Sequence, residues 1–362
     1  MKLAIIGLTL SSSWGNGHAT TYRALLGAFA KAGGRVEFFE RDMPWYAEHR
    51  DLPDPDFARL HFYEDFAELR HRFARQIREA DAVLIGSYVP DGVEVIDWAL
   101  EQARGPVAFY DIDTPVTLGR LARGDESYLA ARQVPDFDVY FSFTGGPTLS
   151  HLQRDYGAKR AEALYCTVDP GRYRHRPEIE RRWRLGYLGT YSADRQPGLE
   201  RLLLQPAAQL PETRFVVAGP QYPEEIDWPE NVERIEHCPP RQHERFYNSQ
   251  DFTLNITRAE MIAAGWSPSV RLFEAAACAT PIISDRWEGL DDLFPDGEAI
   301  IIADSADDVA AALRMQEAER HALGRAAQEI VLEKHSAAKR ARQLAGYLEE
   351  IGNKKQRAES AA

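Results

Sequence analysis

A chain of 362 residues, 44% hydrophobic and 27% charged, has material for roughly two domains with separate cores, which argues against disordered and collagen-like classes. Its formal net charge of −13 argues against a nucleic-acid backbone as partner, while leaving room for a small anion in a local basic pocket. Cys166, Cys238 and Cys278 are scattered without a CxxC pair, which speaks against a disulfide framework or a zinc site.

The apolar run Lys2 to Leu10 is too short to span a membrane and lacks a cleavage site, so it reads as a first strand of a cytoplasmic protein. Leu3 to Leu8 forms that strand, and a Gly/Ser-rich turn through Gly15-Asn16-Gly17-His18 leads into a helix from about Thr20 to Ala32. Gly33-Gly34 stops it, and Arg35 to Glu40 makes a second strand. An irregular stretch, Met43 to Asp56, precedes an amphipathic helix near Glu64 to Glu79. Strands recur at Ala82–Tyr88, Val107–Ile112, Val139–Phe143 and Ala163–Val168, with helical segments between them.

Asp169-Pro170-Gly171 and the charged segment Arg172 to Arg182 break this rhythm, which places a junction near 170/171. A second series has strands at Arg184–Leu188, Arg214–Ala218, Val232–His237, Phe252–Ile256, Pro281–Ser284 and Ala299–Ile302. Its helices lie near Leu199–Leu204, Arg241–Asn248, Ser269–Ala277 and Ala306–Met315. From Gln316 the chain is helical to about Ile351, and Gly352 to Ala362 is expected to fray. Alternating strands and helices predict an α/β protein of two doubly wound parallel sheets, 1–170 and 171–335, with ligands at the carboxyl ends of the strands.

The residues just after each strand therefore carry the functional expectations. The turn at Gly17 is not a dinucleotide fingerprint, since no G-x-G-x-x-G follows the strand, and no cofactor is expected. Its backbone can approach a sugar or phosphate, and His18 can act as a base or hold a phosphate oxygen. A surface turn histidine fits the same pattern. In Asp111-Ile112-Asp113-Thr114-Pro115, two alternating carboxylates leave three readings: a metal site, an Asp113 helix cap, or a carboxylate facing substrate. Thr144-Gly145-Gly146-Pro147 reads as a plain turn.

In the second half, Gly189-Thr190-Tyr191-Ser192-Ala193-Asp194-Arg195 is a glycine turn with hydroxyls and an arginine ahead of a helix, a plausible diphosphate cradle. Asn255-Ile256-Thr257-Arg258 brings a second arginine to the same sheet edge, and Arg271 a third. Ser267 has the chemistry of an N-cap and Pro268 that of a first helical residue; the helix they open would offer free amides to a phosphate, with Glu274 placed for two vicinal hydroxyls. A solvated Arg–Glu pair on an amphipathic helix satisfies the same spacing.

These residues carry a family pattern. Leu254-Asn255-Ile256-Thr257-Arg258, Ser267-Pro268 with Arg271-Leu272-Phe273-Glu274-Ala275-Ala276, and Ile283-Ser284-Asp285-Arg286-Trp287-Glu288-Gly289 are its most specific parts. With Asn16-Gly17, Thr21-Tyr22-Arg23 and Tyr110 to Pro115, the chain resembles the CgeB-like glycosyltransferases, a GT-B group related to the family-4 enzymes. The resemblance implies two Rossmann-like domains facing across a cleft, with a final helix, 336–351, crossing back to the first. It implies a nucleotide-diphosphate sugar as donor, with Glu274 on its ribose, Gly189, Thr190 and Arg195 at the diphosphate, and Ser269 and Val270 offering amides. Many family-4 enzymes carry a first Glu eight positions before the ribose Glu; here that position is Trp266.

The expected activity is metal-independent sugar transfer to an acceptor the sequence does not identify, with His18 or Asp113 as candidate base and Gly17, Asn255, Arg258 and Arg271 at the donor. Two rivals share the sequence features, a GT-B nucleotide-sugar epimerase and a two-domain binding protein without chemistry.

Overall fold

The computed structural model of the chain describes residues 1–14 and 17–361, and every statement below concerns these. They form two compact units, Met1–Thr167 with Ala337–Ala362, and Val168–Ser336. No helix among the described residues is long and apolar enough to cross a membrane.

The first unit is a seven-stranded, all-parallel sheet: β1 (Lys2–Gly7), β2 (Arg35–Arg41), β3 (Arg59–Tyr63), β4 (Ala82–Gly86), β5 (Val107–Asp111), β6 (Val139–Ser142) and β7 (Ala161–Ala163). They are ordered β3-β2-β1-β4-β5-β6-β7, so the sheet reverses direction of growth between β1 and β4. The central strands are continuous apolar runs buried on both faces, as a sheet covered by helices demands: Leu3 to Ile6 and Val83 to Ile85 are fully buried. The helix Phe66–Arg78 buries Leu69, Phe73 and Ile77, one apolar stripe at helical spacing, and Asp65 caps it by accepting from the Glu68 amide (2.8 Å).

Strand β3 falls between the irregular stretch expected to end at Asp56 and the helix expected from Glu64, where no strand was expected. It is a half-exposed edge strand with the polar sequence RLHFY, and it is held by pairing with β2 and by His61 stacking on Phe39. The strand expected over Ala163–Val168 is shifted. Leu164 and Cys166 through Val168 are buried, but after Leu164, whose amide donates to the Ser142 carbonyl (2.7 Å), the chain leaves the ladder. The last helix, Ala337–Ala361, continues past Ile351. It belongs to the first unit, where Tyr347 donates to Glu162 (2.9 Å) and Lys355 meets Asp138 (2.6 Å).

The second unit repeats the plan with six parallel strands: β8 (Trp183–Leu188), β9 (Phe215–Ala218), β10 (Val232–Ile235), β11 (Gln250–Asn255), β12 (Ile282–Ser284) and β13 (Ile301–Ile302). Their order is β10-β9-β8-β11-β12-β13, which puts its point of reversal between β8 and β11. The helical segment after β8 widens to a π turn over Glu200–Leu204, just before Pro206, which has no amide hydrogen to complete the regular ladder.

The helix expected to start at Ser267 runs from Val270 to Ala277, with Ser269 at its N-cap position. The Ser267 hydroxyl donates instead to the Gly265 carbonyl (2.9 Å). Nor is the helix half-solvated, since Arg271 through Ala277 are all buried. Its alanine run admits a close neighbour: Gly324 lies against the Ala279 carbonyl so tightly that a Cβ there would stand 2.3 Å from the oxygen.

Candidate active site

Ligands of doubly wound sheets bind where strand order reverses, at the carboxyl ends. In the second unit that point is the turn after β8 and the end of β11. Leu188 leads into Gly189, whose missing Cβ would lie 2.7 Å from the Tyr187 hydroxyl and 3.0 Å from an Arg271 nitrogen. Any larger residue there would have to displace the Tyr187 and Arg271 side-chain ends. Gly219, at φ +145°, presses on the Gly189 carbonyl from the neighbouring turn, and Tyr222 donates to the same carbonyl (3.1 Å).

Arg271 is buried and holds this floor together. Its Nε donates to the Leu188 carbonyl (2.7 Å) and one terminal nitrogen to Asn255 Oδ1 (2.8 Å), while the guanidinium lies over the Tyr187 ring at 4.8 Å. Asn255 Oδ1 also accepts from the Ser269 hydroxyl (2.8 Å), so Ser269 serves the neighbouring strand and its side chain does not cap the helix. The Val270 amide thus begins a helix with no side-chain cap.

Arg195 differs from Arg271 in having little of its hydrogen-bonding capacity used. One terminal nitrogen donates to the Thr190 carbonyl (2.7 Å), and its buried Nε has no partner. Burial lowers its pKa most; the Tyr187 hydroxyl acts the other way, and the Arg271 and Arg258 charges lower it again. Arg258 is exposed at the start of the helix Ala259–Ala264, whose first amide donates to Asp194 (3.1 Å). Of the three arginines expected at one edge, Arg271 and Arg258 both lie within electrostatic reach of Arg195.

Glu274 is buried one turn further along. Tyr173 donates to its Oε1 (2.7 Å) and Tyr247 to its Oε2 (2.9 Å), with His243 Nδ1 3.7 Å away. Burial pushes its pKa up, but His243 and the two phenols outweigh it, and the carboxyl sits below its ordinary value. No pattern in the sequence paired the tyrosines with this carboxylate, because both lie far from it in the chain. Trp266, at the position of the family's first Glu, adopts φ +40°, lies over Gly289 and donates through Nε1 to Asp292 (3.0 Å).

In the first unit the reversal lies between β1 and β4. His18 opens the helix His18–Lys31 with its Nε2 3.5 Å from Asp113 Oδ2, and its Nδ1 is buried with no hydrogen-bond partner. Gly17 occupies the N-cap position, with open space where a Cβ would stand. Gly15 and Asn16 of that motif lie outside the described residues. Asp113 stands at the N-cap of the helix Thr114–Ala122, yet its side chain does not cap it.

The two aspartates separate in role. Asp111 is fully buried and accepts from Tyr140 (2.6 Å) and Thr117 (2.8 Å), whereas Asp113 is partly exposed beside His18. They form no common pair of ligands facing solvent. Burial raises the Asp111 carboxyl to about 6, against the Tyr140 and Thr117 bonds that favour its ionised form. A carboxyl with a raised native pKa contributes stability that is complete below its unfolded pKa and lost as pH rises through the native one. Wild-type melting temperature should therefore fall between about pH 4.5 and 7 by more than in D111N, with the group's share on the order of 2 kcal/mol. Parallel pH profiles of the two proteins would show Asp111 unperturbed.

Tyr88, which follows β4, was not anticipated. It holds φ +64°, a conformation costly for a bulky residue, and meets His18 edge-on at 5.5 Å and Tyr128 at 4.7 Å. Its strained backbone stands at the point of strand reversal beside His18, a feature no sequence pattern announces.

A family model described as glycosyl transferase-like matches residues 195–346, a span that includes Arg195, Arg271 and Glu274. No match is found among curated proteins. Several solved structures are similar over the whole length. Sucrose-phosphate synthase from Thermosynechococcus elongatus is 14% identical, with 100% of both chains covered and a TM-score of 0.66. HepE of Anabaena, in complex with UDP, is 12% identical over 97% of this chain and 100% of its own, with a TM-score of 0.71. An alpha-glucosyltransferase in complex with UDP-glucose and abasic DNA is 13% identical over 96% and 99%, with a TM-score of 0.69. At these identities the likeness is one of fold, and the fold is GT-B, two Rossmann-like units of parallel strands.

Proposed function

We propose that the protein is a glycosyltransferase that moves a sugar from a nucleotide-diphosphate donor, bound by the second unit, to an acceptor at the first. The observation that carries this reading is Arg195, a half-satisfied cation between two others at the glycine turn where strand order reverses. Such a cluster is unfavourable when empty and favourable around a diphosphate. The glycosyl transferase-like match and neighbours solved with UDP or UDP-glucose support the donor class.

In this reading the bond between anomeric carbon and diphosphate oxygen breaks as charge builds on the diphosphate. Arg195, Arg258 and the Val270 amide stabilise that charge without needing a metal ion, at a turn whose Gly189 amide is itself tied to the Ala218 carbonyl (2.9 Å). Asn255, Ser269 and Arg271 keep the floor rigid, and Glu274 accepts from ribose hydroxyls. Asp113 is the reachable member of the His18–Asp113 pair, so it takes the acceptor proton if the configuration inverts, with His18 positioning it.

The test is a thermal-shift panel of nucleoside diphosphates and their sugars, with and without EDTA. A ligand that binds only the native protein raises its melting temperature. A rise with one nucleotide family, unchanged by EDTA, is the expected result. No rise with any of them withdraws the transferase reading.

A further inference from the structure

Arg258 is exposed, yet the backbone that carries it is held on both sides by carboxylates. On one side Asp285, buried just after β12, accepts from the Thr257 amide and hydroxyl (2.8 Å each). Asn255 joins the same knot, its amide nitrogen donating to the Thr257 hydroxyl (3.1 Å) and to Ser284 (2.9 Å). On the other side Asp194 Oδ2 accepts from the Ala259 amide (3.1 Å). Arg258 is thus flanked by two fastened residues, and the first amide of the short helix behind it is already taken.

Asp194 belongs to a different loop. It lies in the turn after β8, next to Arg195, and the Ser192 hydroxyl donates to its other oxygen. Strands β8 and β11 are neighbours at the point where strand order reverses, and at such a point the connections diverge and a crevice opens between them. The bond from Ala259 to Asp194 crosses from one lip of that crevice to the other, joining segments 65 residues apart.

A carboxylate is a costly choice beside a site for an anion. Burial raises the Asp194 pKa, but the Ser192 and Ala259 bonds and then the Arg258 and Arg195 charges outweigh it, and the carboxyl sits below its ordinary value. It is therefore ionised, and by charge alone it would oppose a diphosphate. The bond to Ala259 gives a reason to keep it: the same group fixes the gap between Arg258 and the turn that bears Arg195.

We propose that Asp194 is a positioning residue, a latch that sets the spacing of Arg195 and Arg258 so that each meets one phosphate of the donor's diphosphate. The proposal rests on the transferase reading and adds how the second unit tells a diphosphate from a monophosphate. A diphosphate joins two anionic groups through one oxygen, so it gains from two cations only where they stand at a matching distance. A monophosphate is satisfied by either cation alone. Spacing fixed before binding spares the entropy of ordering two long side chains, and only the two-headed ligand collects that gain.

Calorimetric titration of the full-length protein with UDP, GDP, ADP and TDP, and with the matching monophosphates, tests the latch. Wild type should bind at least one diphosphate, about tenfold or more tighter than its monophosphate. D194A should weaken that diphosphate about fivefold or more and the monophosphate less than about twofold. D194N, whose amide oxygen can still accept from Ala259, should stay within about threefold of wild type. In an R258A background the D194A change should cost less than about twofold, because no arginine is left to place. Tighter diphosphate binding by D194A would reduce the carboxylate to a repelling charge and overturn the latch. Equal losses with the two ligand classes, or full additivity with R258A, would overturn it as well, and either would leave the donor reading standing. A wild type that binds none of the diphosphates would remove both.

Discussion

Replacing Arg195 by alanine is expected to lower the transfer rate about 100- to 1,000-fold, the usual effect of deleting one preorganised charge-stabilising donor, while the melting temperature stays level or rises. The two halves of this expectation have one cause. In the free protein Arg195 makes one hydrogen bond to the Thr190 carbonyl, leaves its buried Nε without a partner, and feels the Arg271 and Arg258 charges. Its removal therefore relieves repulsion at the cost of one bond. In the proposed donor complex the same group faces the diphosphate, where its charge is needed as the leaving oxygen becomes anionic. Activity and melting temperature measured on one preparation separate the cases: a rate loss that tracks a loss of stability would return Arg195 to a structural role.

Arg271 should behave in the opposite way. Its bonds to the Leu188 carbonyl and Asn255 Oδ1 are internal, and alanine there would strand two acceptors in a dry floor. Two arginines of one cluster thus divide labour, one building the turn and the other left available to a ligand. Sequence alone could not draw that distinction, since both read as cations at a sheet edge.

The architecture was largely legible because its signal is local. Runs such as Leu3 to Ile6 and Val83 to Ile85, bounded by helical periodicity, announce buried parallel strands without reference to anything distant. Edges were less legible: β3 is polar because one side of it faces no partner strand, and only pairing with β2 makes it a strand. Helix starts also misled where a cap has other business, as Ser267 and Ser269 do. Within the candidate site, residues were singled out by their position after strand ends, and in the second unit Arg258 and Arg271 lie within electrostatic reach of Arg195. What remained hidden was the supporting set: Tyr173 and Tyr247 on Glu274, and Tyr88 with its positive φ beside His18. Such partners are defined by the fold's long-range contacts, and no spacing rule encodes them.

Glu274→Gln is expected to raise the dissociation constant for the nucleoside diphosphate at least tenfold, while the protein folds normally and melts a few degrees lower. A carboxylate has about four acceptor sites, and the two tyrosines use one on each oxygen, which leaves two for vicinal ribose hydroxyls. Glutamine keeps the shape but turns one oxygen into a donor. One phenol can adapt by accepting, whereas two vicinal hydroxyls lose one of their acceptors. The depressed pKa fixes the pH behaviour: a carboxyl lowered in the native state contributes stability above its unfolded pKa of about 4.3 and loses it as pH falls through the native value. Its ionised form thus persists through the mildly acidic range, and binding through it should not titrate there. Y173F supplies the internal comparison, since it removes one support and leaves the charge; its loss of affinity should be smaller than that of E274Q. If E274Q binds the nucleotide as tightly as wild type, the carboxylate serves only its tyrosines, and the ribose must be held elsewhere.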